Sequence, residues 1–396
     1  MRDEMKKVPR LRFRGFSEDW ELCKLGTLAE IVRGASPRPI QDSKWFDNTS
    51  DVGWLRISDV TEQNGRIYKL EQKLSKAGQE KTRVLRKPHL LLSIAATVGK
   101  PVVNYVNTGV HDGFLIFLNP LFDREFMFQW LEMFTPKWQK YGQPGSQLNL
   151  NSELVRNQEL RMPSTNEQEK IGMLFQYLDD TITLHQRKLD QLKKLKKAYL
   201  QEMFVSINTK NNKVPKLRFA NFEGNWELCK LENIIEKQIK GKAKVENLCN
   251  GSVEYLDANR LNGGKPIYTK ALPDVSERDI IILWDGSKAG KVYYGFKGVL
   301  GSTLKAYQLK ECANSQFIYQ QLLDNQNNIY NNYRTPNIPH VVKNFSSIFP
   351  IWMTSFEEQS QMADILSNLD NRIILQQNLT DTMISLKKSY LQNMFI

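Results

Sequence analysis

Residues 216–232 read KLRFANFEGNWELCKLE and repeat, in register at an offset of 206, the stretch RLRFRGFSEDWELCKLG at residues 10–26. A second pair follows the same plan. Residues 162–204, MPSTNEQEKIGMLFQYLDDTITLHQRKLDQLKKLKKAYLQEMF, match residues 353–395, MTSFEEQSQMADILSNLDNRIILQQNLTDTMISLKKSYLQNMF, at an offset of 191. Self-similarity of this kind means one structural unit used twice. The offsets differ by 15, so the segments between opening and closing differ in length. The order is opening, variable domain and closing helix, once per half.

Both closing segments carry apolar residues in steps of three and four. In the first these are Ile171, Leu174, Leu178, Ile182, Leu189, Leu192, Tyr199 and Met203; in the second, Met362, Ile365, Leu369, Ile373, Met383, Leu386, Tyr390 and Met394. Such a stripe, sustained this long, predicts a helix–helix seam of the coiled-coil kind. Ser164 or Thr165 ahead of Glu167 and Gln168, and Thr354 or Ser355 ahead of Glu357 and Glu358, supply helix-start chemistry. A helix of about 37 residues rises roughly 55 Å, enough to act as a spacer. Each seam is interrupted once, by His185 and by Gln376 at equivalent positions. If the helices pack antiparallel around a pseudo-twofold axis, these two approach and fix the register; otherwise both side chains lean out to solvent. Phe175, Leu195 and Leu200 lie off the seam and are candidates for contact with a partner's helices.

A chain of 396 residues exceeds what one core usually supports, and 41% hydrophobic with 25% charged residues is the composition of packed globular domains. No run of 18 uncharged apolar residues occurs, and no apolar segment follows the basic start MRDEMKKVPRLRF, so the expected location is the cytoplasm. Cys23, Cys229, Cys249 and Cys312 show no CxxC spacing and read as buried free thiols. The net charge is +12, yet the helical segments 164–206 and 354–396 sum to −1, which leaves +13 on the remainder. The variable domains are therefore the candidates for touching a polyanion.

The first variable domain has strand-like runs at Gly53 to Val60, His89 to Ala95 and Phe114 to Leu118, then a helical run from Arg124 to Phe134. The second has strand-like Asp279 to Trp284, Lys291 to Tyr294 and Leu304 to Leu309, then a helical run from Asn314 to Asp324. Basic and amide side chains gather in the loops. In the first domain these are Arg33, Ser36, Arg38, Lys44, Lys100, Gln143, Ser146 and Gln147. In the second they are Lys240, Lys242, Lys244, Asn259, Arg260, Ser287, Lys288, Lys291, Arg334, Thr335, Asn337 and His340. Arg, Lys, Asn and Gln read base edges in the major groove, and loop Lys and Ser hold phosphates.

No catalytic constellation emerges. GSKAGK at Gly286 to Lys291 is one residue short of a phosphate-binding loop and lacks its Ser or Thr. NPLF at Asn119 to Phe122 has no glycine-rich cofactor loop beside it. His89, His111, His185 and His340 have no metal-ligand spacing.

Taken together, the VPxLRF...W openings at Val8 and Val214, MPSTNEQEKI, and the helix ends KKAYLQEMF and KKSYLQNMF make the chain resemble the specificity (S) subunits of Type I restriction-modification enzymes. GWLRISDV, LLLSIAATVGK and WDGSKAGKVYYG look like parts of that family's target-recognition domains. The resemblance implies a mixed α/β (α+β) fold with two target-recognition domains, 1–163 and 207–353, and two antiparallel coiled-coil helices, 164–206 and 354–396. It implies a non-catalytic chain without cofactor or metal that reads a bipartite, asymmetric site on double-stranded DNA. Two methyltransferase (M) subunits and two restriction (R) subunits would be its partners, carrying S-adenosylmethionine, ATP and Mg. This chain shows no short tandem repeat between Phe204 and Val214, and RTPNIPHVVKNF departs from GSQLNLNSEL, so the loops of the two domains are not read across by sequence alone. A stand-alone two-headed DNA-binding regulator is the main rival, and an adapter held by its coiled coil is the plainer one.

Overall fold

The computed structural model describes residues 7–138, 140, 150–206, 213–244, 251–336 and 339–396. Two compact units divide the chain: residues 1–185 with 379–396, and residues 186–378. The architecture is mixed α/β, with two long helices, Thr165–Met203 and Phe356–Met394, of 39 residues each. Each unit holds one variable domain, part of the helix that follows it, and part of the other helix.

In the first unit a five-stranded sheet runs in the order Glu30–Arg33, Phe114–Leu118, Leu90–Ser93, Pro101–Asn104, Arg66–Ile67. In the second a four-stranded sheet runs Ile235–Lys240, Leu304–Leu309, Ile280–Leu283, Val292–Tyr293. The strand sequences LLLS and IIIL are buried throughout because both sheet faces are covered. Alternation along them divides two cores. Leu90 and Leu92 face one with Trp20, Phe126 and Trp130, while Leu91 faces another with Leu55, Val102 and Phe114. Ile280 and Ile282, against Ile281 and Leu283, repeat the division in the second unit.

The helical runs after these sheets are Arg124–Trp138 and Ser315–Asp324. Asp123 Oδ1 accepts from Phe126 N at 2.8 Å and Asn314 Oδ1 from Phe317 N at 3.1 Å, capping both starts. The run Gly53 to Val60 is a strand only at Gly53–Trp54; Ile57–Glu62 is helical, because Asp59 turns back to accept from Arg56 N at 2.8 Å.

The repeated opening has a structural task. Its strands Glu21–Lys24 and Glu227–Lys230 pair antiparallel with Glu159–Met162 and Pro350–Met353, the strands that lead into the long helices. Arg12, from the LRF motif, forms two bonds with Glu167 in the first turn of the first long helix, at 2.7 and 2.8 Å; Arg218 does the same to Glu358, at 2.7 and 2.8 Å. One residue earlier, Leu11 N donates to Asn393 O at 2.9 Å, and Leu217 N to Glu202 O at 2.8 Å. Each opening thus ties the start of its own helix to the end of the other. The expected capping box is present only in part: Ser355 Oγ accepts from Glu358 N at 3.3 Å, but both glutamates spend their carboxylates on arginine.

Within the first unit the helix segments run antiparallel, Phe175 meeting Phe395 at 5.7 Å and Asp179 meeting Lys387 at 2.7 Å. The second unit matches, with Lys196 on Asp370 and with Met203 and Met362 in one core. The seam is only partly as the periodicity predicts. Ile171, Leu178, Ile182, Leu189, Leu192, Met362 and Leu369 are buried; Leu174, Tyr199, Ile365, Ile373, Met383 and Tyr390 are half-buried. Leu386 is 37% exposed, and Ala363 and Leu366 are buried instead beside Met362. Gln376 is 6% exposed and His185 half-buried, so the solvent-facing alternative fails for Gln376. Among the cysteines, Cys23 and Cys229 are half-buried and Cys312 is exposed, which corrects the expectation of buried thiols; Cys249 lies outside the described residues.

Candidate nucleic-acid interface

Backbone bonds place the loops of the two domains in correspondence where sequence does not. Gly34 N donates to Phe114 O at 2.9 Å, and Gly241 N to Leu304 O at 3.0 Å, each just past the edge strand that carries Arg33 or Lys240. The RGASPRP loop and the Lys240, Lys242, Lys244 stretch are therefore equivalent. Gly99 N reaches Ser93 O at 2.8 Å and Gly290 N reaches Leu283 O at 2.7 Å, which equates TVGK with SKAGK and Lys100 with Lys291. Leu150 N donates to Ile94 O at 3.2 Å and Val341 N to Trp284 O at 2.9 Å, so Leu150 and Val341 also correspond. In each domain the first two of these loops leave the same end of the main sheet. Gln143, Ser146, Gln147 and Asn337 lie outside the described residues.

In the first domain Asp112 gathers the RGASPRP side chains. Its Oδ1 accepts from Ser36 Oγ at 2.8 Å, its Oδ2 from Arg38 at 2.8 Å and its backbone oxygen from Arg33 Nε at 2.6 Å. Burial alone would raise the Asp112 carboxyl, but Ser36, Arg38, His111 and Arg33 outweigh it and hold the group below its ordinary value. Burial pushes His111 down, and its Nδ1 accepts from Gly113 N at 2.9 Å, as a neutral ring does. Trp54, Arg56 and Ile57 complete a cleft with Ser36, Arg38 and Asp112. Lys44 stands apart, paired with Asp42 at 2.8 Å and 4.4 Å above Trp45; Lys100 is half-buried beside Phe128 and Glu132.

In the second domain Lys240 faces Lys305 across the strand pair, and Lys305 lies 3.3 Å above Trp284. Burial, then Lys240, lowers the Lys305 ammonium below its ordinary value. Gly286 N donates to Pro339 O at 3.0 Å, and Asp285 bridges to His340, which seats the DGSK turn against RTPNIPH. Arg334 holds Tyr330 O at 2.7 Å and Ser287 O at 3.4 Å, and Thr335 Oγ1 accepts from His340 N at 3.3 Å. Lys242, Lys244, Ser287 and Lys288 are exposed. Lys291 is committed to Asn262 and the Tyr293 ring. Arg260 turns to Glu254 and away from this group, and Asn259 is exposed on the helix Ala258–Leu261. Sequence reading missed Lys305, Trp284, Asp112 and Arg56, because strand residues and a carboxylate give no basic-loop signal. Among the described residues no His, Cys, Asp and Glu cluster could hold a metal ion, and no helix is long and apolar enough to cross a membrane.

The family model for the Type I restriction modification DNA specificity domain matches residues 17–194 and 223–383. The chain belongs to this specificity family. A specificity subunit is the non-catalytic component of its complex. The Type I restriction enzyme MjaVIII specificity subunit of Methanocaldococcus jannaschii is 31% identical over 180 residues, which cover 43% of this chain and 42% of the relative; the match thus spans less than half of that protein's length. The fold is that of a Type I restriction-modification S subunit from M. genitalium, with TM-score 0.71 at 15% identity over 98% of this chain and 99% of that one. A chain from a study of Type I assembly and conformational transition gives TM-score 0.51 at 14% identity over 94% and 96%.

Beside the helices of this specificity-family chain, one partner-facing expectation is corrected. Phe175 has 0% exposure and packs on Phe395 in the first unit's core. Leu200 is half-buried against the second unit's core, and Leu195 is exposed. A buried charge group holds the first domain to the helices: Arg66 pairs with Glu125 at 2.8 Å and Asp179 at 3.0 Å, and Lys387 with Asp179 and Glu132, each at 2.7 Å. Burial would lower the Lys387 ammonium, but Glu132 and Asp179 raise it overall. The second unit keeps a shorter version, Gln320 and Lys196 on Asp370.

Proposed function

We propose that this chain is the DNA-reading subunit of a Type I restriction-modification complex, each target-recognition domain reading one half of a bipartite, asymmetric site. The carrying observation is the equivalence of two loops in two domains whose side chains differ: Arg33, Ser36 and Arg38 against Lys240, Lys242 and Lys244, and Lys100 against Lys291. One scaffold with two loop sets suits two different half-sites. The long helices set the number of unspecified base pairs between the halves. Two M subunits, with S-adenosylmethionine, dock on helical surface that includes Leu195, and two R subunits, with ATP and Mg, complete the cleaving assembly. The test is co-expression with the methyltransferase subunit and mapping of adenine methylation on genomic DNA. A single split motif with a fixed gap supports the reading. Tight, sequence-preferring DNA binding by the chain alone, without complex formation, would favour a stand-alone regulator.

A further inference from the structure

Asp112 is a carboxylate in the middle of a surface that should attract a polyanion, and it makes four polar contacts with the RGASPRP loop. Beyond its bonds to Ser36 Oγ, Arg38 and Arg33, its own N donates to Ser36 Oγ at 3.2 Å. Gly34 allows this close approach, since a Cβ there would stand 2.1 Å from His111 O. The second domain differs at the equivalent position. Its Gly241–Leu304 bond matches Gly34–Phe114, and counting back two residues puts Ser302 where the first domain has Asp112. Arg38 is 75% exposed and Asp112 37%, so the ion pair adds little to folding. Its effect lies in orientation. An unrestrained guanidinium beside DNA takes the nearest phosphate, which carries no sequence information. One fixed by a carboxylate loses less side-chain freedom on binding and keeps its donors for a base edge.

On the reading given above, we infer that Asp112 is a positioning residue for the first half-site: its carboxylate aligns Ser36 and Arg38 and withholds Arg38 from the phosphate backbone, while its backbone oxygen seats Arg33. Asp112 therefore lowers general DNA affinity and raises discrimination.

The experiment compares Asp112→Asn, Asp112→Ser and Arg38→Ala in the complex with methyltransferase subunits. Binding is measured on the methylated-motif duplex and on duplexes altered in one half-site, across a salt series. Both Asp112 variants should lose about tenfold in discrimination at the first half-site, bind unrelated duplex more tightly and steepen the salt slope by about one, since Arg38 alone is released. Discrimination at the second half-site and thermal stability should hold. Asp112→Glu, which keeps the charge, should restore part of the loss. If Arg38→Ala weakens the first half-site while Asp112→Asn and Asp112→Ser keep full discrimination, the positioning role is wrong and the DNA-reading function stands. Weakened binding to every duplex with a lowered melting temperature would make Asp112 merely structural and also overturn the inference. If neither Arg38→Ala nor the Asp112 variants alter discrimination at either half-site, the assignment of this loop to DNA reading falls with it.

Discussion

Arg12 and Glu167, 155 residues apart in sequence, meet through two N–H···O bonds, and Arg218 and Glu358 reproduce the pair across 140 residues. Both glutamates are almost fully buried. Arg12→Ala would leave Glu167 charged and without its guanidinium, which should cost about 3 kcal/mol. Arg12→Met combined with Glu167→Met should recover most of that, since an apolar pair needs no compensation. Urea unfolding followed through tryptophan fluorescence measures both; equal destabilisation by single and double variants would show that the pair matters for shape more than charge.

The two domains should be separable by single substitutions. Arg38→Ala should reduce discrimination at one half-site by about 1–3 kcal/mol, and Arg334→Ala at the other. Methylation mapping of each variant reads this directly, through degeneracy confined to one half of the motif. Uniform loss over all sequences would assign these arginines to phosphate.

Lys240 and Lys288, exposed and without a carboxylate bond among the described contacts, should behave in the second way. Each lysine-to-alanine change should weaken binding to all duplexes alike and reduce the salt slope by about one. A salt titration of DNA affinity decides it.

Burial raises several tyrosines, three of them most: Tyr105 and Tyr319 to about 12, and Tyr307 further. The folded chain keeps these protons above pH 10, where the unfolded chain releases them, so their contribution is intact below about 10 and is lost as pH climbs toward the folded values. Tyr307 also has a buried hydroxyl without a hydrogen-bond partner among the described residues. Tyr307→Phe should therefore be neutral or stabilising by about 1 kcal/mol at neutral pH and should soften the alkaline loss. Urea midpoints at pH 8 and pH 11 test it, pH values chosen on roughly either side of the tyrosine range; a variant no less sensitive to alkali than the parent would sink the assignment.

The repeat, the long helices and the strand Phe114–Leu118 were legible in sequence because local periodicity carries them. The seam was legible only in part. Leu386 has the right spacing but points outward, whereas its neighbour Lys387 is drawn in by Asp179 and Glu132. Phe175 sits off the heptad stripe yet is buried, because Phe395 and the domain helix supply a core on that side. The candidate interface was legible as basic loops. What gathers them was hidden, since the bonds of Asp112, Trp284 and Lys305 depend on strand register, and period alone does not determine register.

The ties made by Leu11 and Leu217 bear on the order in which the chain can mature on the ribosome. The first unit's core contains Met394 and Phe395, so part of it is synthesised after the whole of the second unit. The second unit draws its core from residues 203 to 366 and is bounded by residues 186 and 378. Nascent chains usually consolidate from the N-terminus; here the later-made unit has all of its residues once 378 is added, whereas the earlier-made one receives residues 379–396 only afterwards.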